Sequence, residues 1–141
     1  LMLDGVTGGT AKMPADGALK RTRMLLVTID GGGAAITTGI KGDLVVPYGC
    51  TITGWTLLAD QSGSIVIDVW KDSYANYPPT VADTIAGSEK PTLSTATKNQ
   101  DLTLTTWTTA LTAGQILRFN VDSAATVQRV ALAILVTETL A

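Results

Sequence analysis

The sequence predicts an all-β domain, an antiparallel β-sandwich of jelly-roll type with about eight strands and an extended N-terminal arm. Three observations carry that prediction. Apolar residues recur with a period of two along most of the chain, the mark of strands with one face toward a core, and helical periodicity is almost absent. Gly, Pro, Asp and Ser cluster between those runs, where turns use their backbone freedom and side-chain bonding. Long connections between residues 71 and 100 favour a jelly roll over a simple meander.

Residues 1–18, LMLDGVTGGTAKMPADGA, hold four glycines, one proline and no sustained periodicity, so they read as an extended arm ahead of a sandwich at 19–141. Leu3, Val6 and Met13 are apolar handles in it and are candidate inter-subunit contacts. The chain begins at Leu rather than Met, and it is expected to be part of a longer polypeptide. Residues 19–29 form the first strand, with Met24, Leu26 and Thr28 on one face and Leu25, Val27 and Ile29 on the other, which predicts cover on both sides. Asp30 to Gly33 is a turn. It lacks the Lys-Ser/Thr ending of a phosphate-binding loop and any helix after it.

Short strands are expected at 35–38 and 42–46, followed by a ProTyrGly turn at 47–49. The stretch 51–71, TITGWTLLADQSGSIVIDVWK, reads as a hairpin: two strands joined by a turn at 59–63, whose Asp, Ser and Gly suit a tight connection. The irregular region 71–80 carries Tyr74, Tyr77 and the Pro78-Pro79 pair, which forbids strand pairing, and residues 81–85 suit one helical turn. With two of the three tyrosines, this loop is the candidate recognition element. Residues 93–99 read as polar connector, 101–107 as a strand and 111–116 as a tight turn. In 116–122, Leu117, Phe119 and Val121 point inward and Arg118, Asn120 and Asp122 outward. A turn at 123–126 precedes the most hydrophobic strand, 128–137, again apolar on both faces; its Val130, Leu132 and Ile134 are further candidate inter-subunit residues.

Apolar residues make up 45% of the chain and charged residues only 16%, against a usual quarter. With mean hydropathy at +0.28, the surface of a lone monomer would be unusually apolar. The longest apolar run, Val130 to Val136, is far below the roughly 18 residues of a spanning helix, so burial against other chains is preferred over membrane insertion. Net charge is −2 and the basic residues are scattered apart from Lys20, Arg21 and Arg23, which argues against nucleic-acid binding. Residues 1–20 lack the basic start and apolar core of a secretion signal.

Histidine is absent, which removes Ser-His and Cys-His nucleophilic chemistry and the usual zinc constellations. The single Cys50 has no disulfide partner and reads as a small buried hydrophobe. No DxDxDG-type run suggests calcium, and no cofactor is implied. Glycoside hydrolysis needs two carboxylates about 5 to 10 Å apart. Asp60, Asp68, Asp72, Asp83, Glu89, Asp101 and Asp122 are available, and no spacing singles out a pair. Asp68 draws attention because it shares a strand face with Trp70; the plain reading is an outward carboxylate, solvated or paired with Arg118 or Lys71. Aromatic rings stack on sugars, so Trp70, Asp68, Tyr74 and Tyr77 form the candidate ligand-binding set, while Trp55 and Trp107 read as core or interface anchors.

The strings GIKGDLVVP (39–47), ITGWTLLADQSGS (52–64), IDVWK (67–71) and YPPT (77–80) resemble a domain found in tail-fibre and other virion structural proteins of tailed bacteriophages. TIAG (84–87), KPTLS (90–94), Trp107 and FNVDSA (119–124) continue the likeness, which spans about residues 20 to 137. The resemblance implies a non-enzymatic β-sandwich on a fibre, spike or capsid surface of the virion. It further implies a homotrimer with an N-terminal arm leading from a shaft, and other virion proteins are the expected partners; contact with host-surface glycans is a separate hypothesis, placed on the 71–80 loop and Trp70. A carbohydrate-binding module attached to an enzyme is the alternative, and a glycosidase using Asp68 is a third class.

Overall fold

The computed structural model describes residues 19–140. The arm with Leu3, Val6 and Met13 lies outside the described residues. Seven antiparallel strands make up the structure: β1 (Leu19–Asp30), β2 (Gly39–Val45), β3 (Cys50–Asp72), β4 (Thr92–Asp101), β5 (Ala110–Leu111), β6 (Ile116–Ala125) and β7 (Arg129–Leu140). They run β1-β7-β3-β6-β2, with β4 and β5 also on β3. The fold is all-β and jelly-roll-like, as the alternation predicts.

The predicted hairpin at 51–71 is instead one continuous strand of 23 residues. Its first half, Thr51–Ala59, pairs with β7, and its second half, Ser64–Asp72, pairs with β6. β4 follows the opposite side of β3 across the change, with register shifts between Leu58 and Gly63 and again before Ile65. β3 thus belongs to both layers, β1-β7-β3 and β2-β6-β3, and the sheet curls around it. Residues 59–63 are the corner at which it crosses. The Asp, Ser and Gly that suggest a turn serve a bend here. Asp60 Oδ1 accepts the Gln128 and Arg129 amides at 3.0 and 3.1 Å, tying the corner to the start of β7. Gly63 lies so close to the end of β6 that a Cβ would sit 2.6 Å from the Ala125 carbonyl oxygen, a backbone atom that cannot swing away.

Inside the curl, Ile52, Leu57, Ile65, Ile67, Val69, Leu117, Phe119, Val121, Val130, Leu132, Ile134 and Val136 form a single core with Trp55 and Trp107. Each such aliphatic side chain contributes about 1.5–3 kcal/mol by leaving water. Cys50 is buried at the edge of this core, as expected. Val130, Leu132 and Ile134, expected as inter-subunit candidates, are here core residues of their own chain: the period-two pattern turns them inward, and the other face of β7, Ala131, Ala133 and Leu135, looks outward half-buried.

Three further expectations change. Residues 35–38 are not a strand, although Ile36 is buried and its amide bonds the Val127 carbonyl. The connector expected at 93–99 is part of β4, and the strand expected at 101–107 gives way after Asp101 to irregular chain. β6 runs on to Ala125 through the predicted turn at 123–126, absorbing a bulge opposite Val66 and Ile67. The helical turn near 81–85 exists as a 3-10 turn at Val81–Asp83, and the Asp30–Gly33 turn is closed by Gly32 N–H donating to Asp30 Oδ1 at 2.7 Å. Among the described residues, the cover predicted on both faces of β1 is present on one: Leu25 and Ile29 are buried, while Met24 and Leu26 are 56% and 57% exposed.

Candidate functional site

The long connection between β3 and β4, residues 73–91, crosses the outer face of the β2-β6-β3 layer. That face carries the even-numbered residues of β3 and β6, which alternation turns away from the core: Asp68, Trp70, Arg118, Asn120 and Asp122. A sheet face this polar would be solvated if left open. The connection covers part of it and bonds nearly every group that it covers.

Asp68 is the centre of this arrangement. It is 1% exposed, the one charged residue buried among the described residues. Its Oδ2 accepts the Trp70 indole N–H at 2.9 Å. Its Oδ1 accepts the Val69 amide at 2.9 Å and the Thr84 hydroxyl at 2.5 Å. Lys90 Nζ stands 3.5 Å from Oδ2 and 2.8 Å from Asp122 Oδ2, bridging the two carboxylates. Neither the candidate ligand-binding role nor the solvated carboxylate paired with Arg118 or Lys71 describes Asp68. Three donors and a cation saturate it, and Trp70 is buried beside it under the loop.

Arg118 finds a different partner. Its Nε and Nη2 donate to the two oxygens of Asp43 on β2 at 2.7 and 3.0 Å, the bidentate geometry that makes an Arg–carboxylate pair specific. Tyr77 closes the group: its hydroxyl donates to Asp43 Oδ2 at 2.6 Å and accepts from Arg118 Nη2 at 2.8 Å, and the guanidinium lies 5.1 Å from its ring centre. The Arg118 hydrogen bond holds the Asp43 carboxyl below its ordinary pKa despite partial burial. Hydrogen bonding to Asp43 raises that of the Tyr77 hydroxyl. Tyr77 therefore pins the loop to β2 and β6.

Farther along, Glu89 clamps the connection to the chain after β4. Its backbone carbonyl accepts both the Trp55 and Trp107 indole N–H groups, at 3.3 and 2.9 Å. Its carboxylate accepts the Thr105 amide at 2.7 Å, the Thr106 amide and the Thr106 hydroxyl at 2.8 Å. These bonds, led by the Thr106 amide, hold its pKa down at about 2. Trp55 and Trp107 are core residues whose polar edges meet at one carbonyl, which satisfies the indoles without an external ligand.

Of the candidate ligand-binding set, Tyr74 alone stands clear, 81% exposed, and Tyr77 is partly exposed with its hydroxyl engaged. Ser73, Tyr74 and Ala75 face Thr112–Gln115 across an open groove of about 470 Å³. Sequence reasoning missed the roles of Asp43, Thr84 and Lys90; their signal is tertiary, since Asp43 lies on β2 and the other two on the 73–91 connection, and their partners Arg118, Asp68 and Asp122 lie on β6 and β3. Among the described residues no group of three or more Cys, Asp or Glu side chains could hold a metal ion, and every buried side-chain nitrogen and oxygen has a partner.

No protein-family model matches the sequence, and no curated protein does. Two solved structures show a distant likeness in fold. A chain of the cyanophage Pam1 capsid asymmetric unit aligns over 99% of this chain and 100% of its own, at 18% identity and a TM-score of 0.39. A chain of infectious bursal disease virus, Gx strain, aligns over 97% of this chain and 41% of its own, at 11% identity and a TM-score of 0.34. The functional reading therefore rests on this chain's own residues.

Proposed function

We propose that this chain is a non-enzymatic structural module of a virion, placed at the particle surface and assembling with copies of itself and with other virion proteins. One observation carries the non-enzymatic part: the carboxylates that the fold holds most firmly, Asp68, Asp43 and Glu89, are consumed by structural bonds. A general acid or base must be able to exchange a proton with a substrate, and a group saturated by donors within its own chain is not placed to do so. The virion part is supported by the sequence strings that resemble tailed-phage structural proteins. An apolar outer sheet face supports assembly.

The finer reading is a homotrimer whose 73–91 connection touches host-surface glycans through Tyr74. The groove beside that ring favours such contact, because a flat exposed ring offers a stacking surface for a pyranose. A carbohydrate-binding module attached to an enzyme is the second reading favoured by the same groove. Antibody raised against the chain should label intact virions of the phage that encodes it. Finding the chain only in the particle-free lysate would overturn the virion reading. Glycan-array binding by a monomer, lost in Tyr74→Ala, would replace it with the binding-module reading, and binding by an oligomer with the same sensitivity supports the finer one.

A further inference from the structure

We propose, resting on the glycan reading above, that the groove between residues 73–75 and 112–115 selects uncharged pyranose sugars and rejects acidic and amino sugars.

Both walls of the groove are fixed by bonds within the chain. On one side Asp72 Oδ1 accepts the Ser73 amide at 2.7 Å and the Asn76 side-chain amide at 3.2 Å, and the Tyr74 carbonyl accepts the Tyr77 amide at 3.2 Å. Tyr77 is held in turn by Asp43 and Arg118, so the short segment that carries Tyr74 is anchored at both ends. On the other side the turn 112–115 is closed twice. The Gln115 amide donates to the Thr112 carbonyl at 3.2 Å, and Gln115 Oε1 accepts the Thr112 amide at 2.9 Å. Gly114 takes a φ of 89°, which suits glycine, and its amide donates to the carbonyl of the buried Val46 at 2.8 Å. Walls already in place lose little freedom when a ligand enters between them.

The lining decides the class of ligand. Tyr74, 81% exposed, offers a flat apolar ring with a polar rim, and Ala75 and Ala113 add methyl groups. Ser73 and Thr112 bring hydroxyls. Gln115, whose oxygen is engaged by the Thr112 amide, has its NH2 end left to donate. Together these supply a surface for the C–H face of a pyranose and neutral hydrogen-bonding groups for its hydroxyls. None of the described residues that line the groove is charged. Taking an ion out of water costs far more than taking a hydroxyl out, unless a counter-charge meets it. The charged side chains next along the chain are engaged: Lys71 Nζ donates to the Ala110 carbonyl at 2.9 Å, and Asp72 receives the two amides already named. An acidic sugar would thus meet a wall without a counter-charge, one residue from an aspartate. A protonated amino sugar would find one tyrosine and no lining carboxylate, short of the aromatic cage that holds a cation.

Saturation-transfer NMR on the full chain tests this with sugars that differ in charge alone. At least one of the methyl glycosides of glucose, galactose and mannose should receive transfer, and its uronic-acid and free-amine counterparts should bind at least about tenfold more weakly. Tyr74→Ala, at an exposed position, should abolish the transfer while leaving the circular dichroism spectrum unchanged. Gln115→Glu keeps the acceptor for the Thr112 amide but loses the NH2 donor, and should weaken binding by about three- to tenfold. A charged sugar that binds as well as its neutral counterpart overturns the charge selection and leaves the glycan reading standing. Transfer to none of the sugars overturns both. Transfer to a neutral sugar that survives Tyr74→Ala puts the binding elsewhere and overturns the proposal.

Discussion

Asp68 shows how a residue's chemistry is set by what covers it. In sequence it is a carboxylate among apolar residues, the pattern that invites a catalytic or ligand-binding reading, and alternation correctly places it on the outer side of β3. That the outer side is roofed by a loop some residues later is not written in the strand. Removing the carboxylate leaves the Trp70 indole, the Thr84 hydroxyl and the Val69 amide without their acceptor. Stranding buried donors costs about 1–3 kcal/mol each, and breaking a buried charged network typically about 3–5 kcal/mol in all. Asp68→Ala should therefore lower unfolding free energy by about 3 kcal/mol or more in urea denaturation. Asp68→Asn should recover only part of it, since an amide turns donors toward a site built from donors.

Glu89 makes a pH-dependent prediction. Its folded-state pKa of about 2 lies below its ordinary value of 4.5, so it binds fewer protons when folded. The stability that it supplies is complete above about pH 4.5, declines as acid is added and is lost through pH 2. Glu89→Gln should flatten that part of a stability-against-pH curve measured by thermal unfolding. An unchanged slope would show that the Thr105 and Thr106 amides do not depend on this carboxylate.

Among the elements, strands whose own side chains alternate were legible from sequence, and strands defined by their neighbours were not. β1, β6 and β7 announce themselves through Leu25 and Ile29, through Leu117, Phe119 and Val121, and through Val130, Leu132, Ile134 and Val136. β4, TLSTATKNQD, buries little beyond Leu93 and owes its extended form to main-chain pairing with β3, so its composition reads as connector. The break expected at 59–63 is a bend for a related reason. Asp, Gln, Ser and Gly tolerate unusual backbone and bond it locally, and only the pairing partners decide whether the chain reverses or turns a corner. The corner depends on Gly63. Gly63→Ala would drive a methyl group against the Ala125 carbonyl and the Val127 side chain. Overpacking of this kind costs about 1–3 kcal/mol, and equilibrium denaturation should show it as a lower midpoint with little change in slope. The 71–80 loop was legible by its tyrosines; Tyr74 stands clear of the chain, while the Tyr77 hydroxyl is drawn in by Asp43 and Arg118, a contact between three distant segments, and its ring stays partly exposed.

At the scale of the whole molecule, the unusual hydrophobicity of the chain has two destinations. Most of it fills one core. Part of the remainder lies on Met24 and Leu26 of β1 and on Leu58 of β3, and part is scattered over Ile40, Val45, Val81 and Leu102. The sequence predicts cover on both sides of β1 and β7, and the described residues supply one side of it.

The passage of β3 through both layers makes the two halves of the sandwich share a fate. A sandwich built from separate sheets can lose one and keep the other for a time, as local opening allows in many proteins. Here a rupture of either layer releases half of a strand whose remaining half holds the other, so the smallest stable unit is the whole. Amide exchange should register this as a single protection level common to β7 and β6, lying at the global unfolding free energy, with only β2 and the 73–91 connection exchanging earlier. Well-separated plateaus for β6 and β7 would contradict it. For the virion module proposed above, such indivisibility would make damage all or nothing: a chain is intact and in place, or it is lost to the assembly entirely.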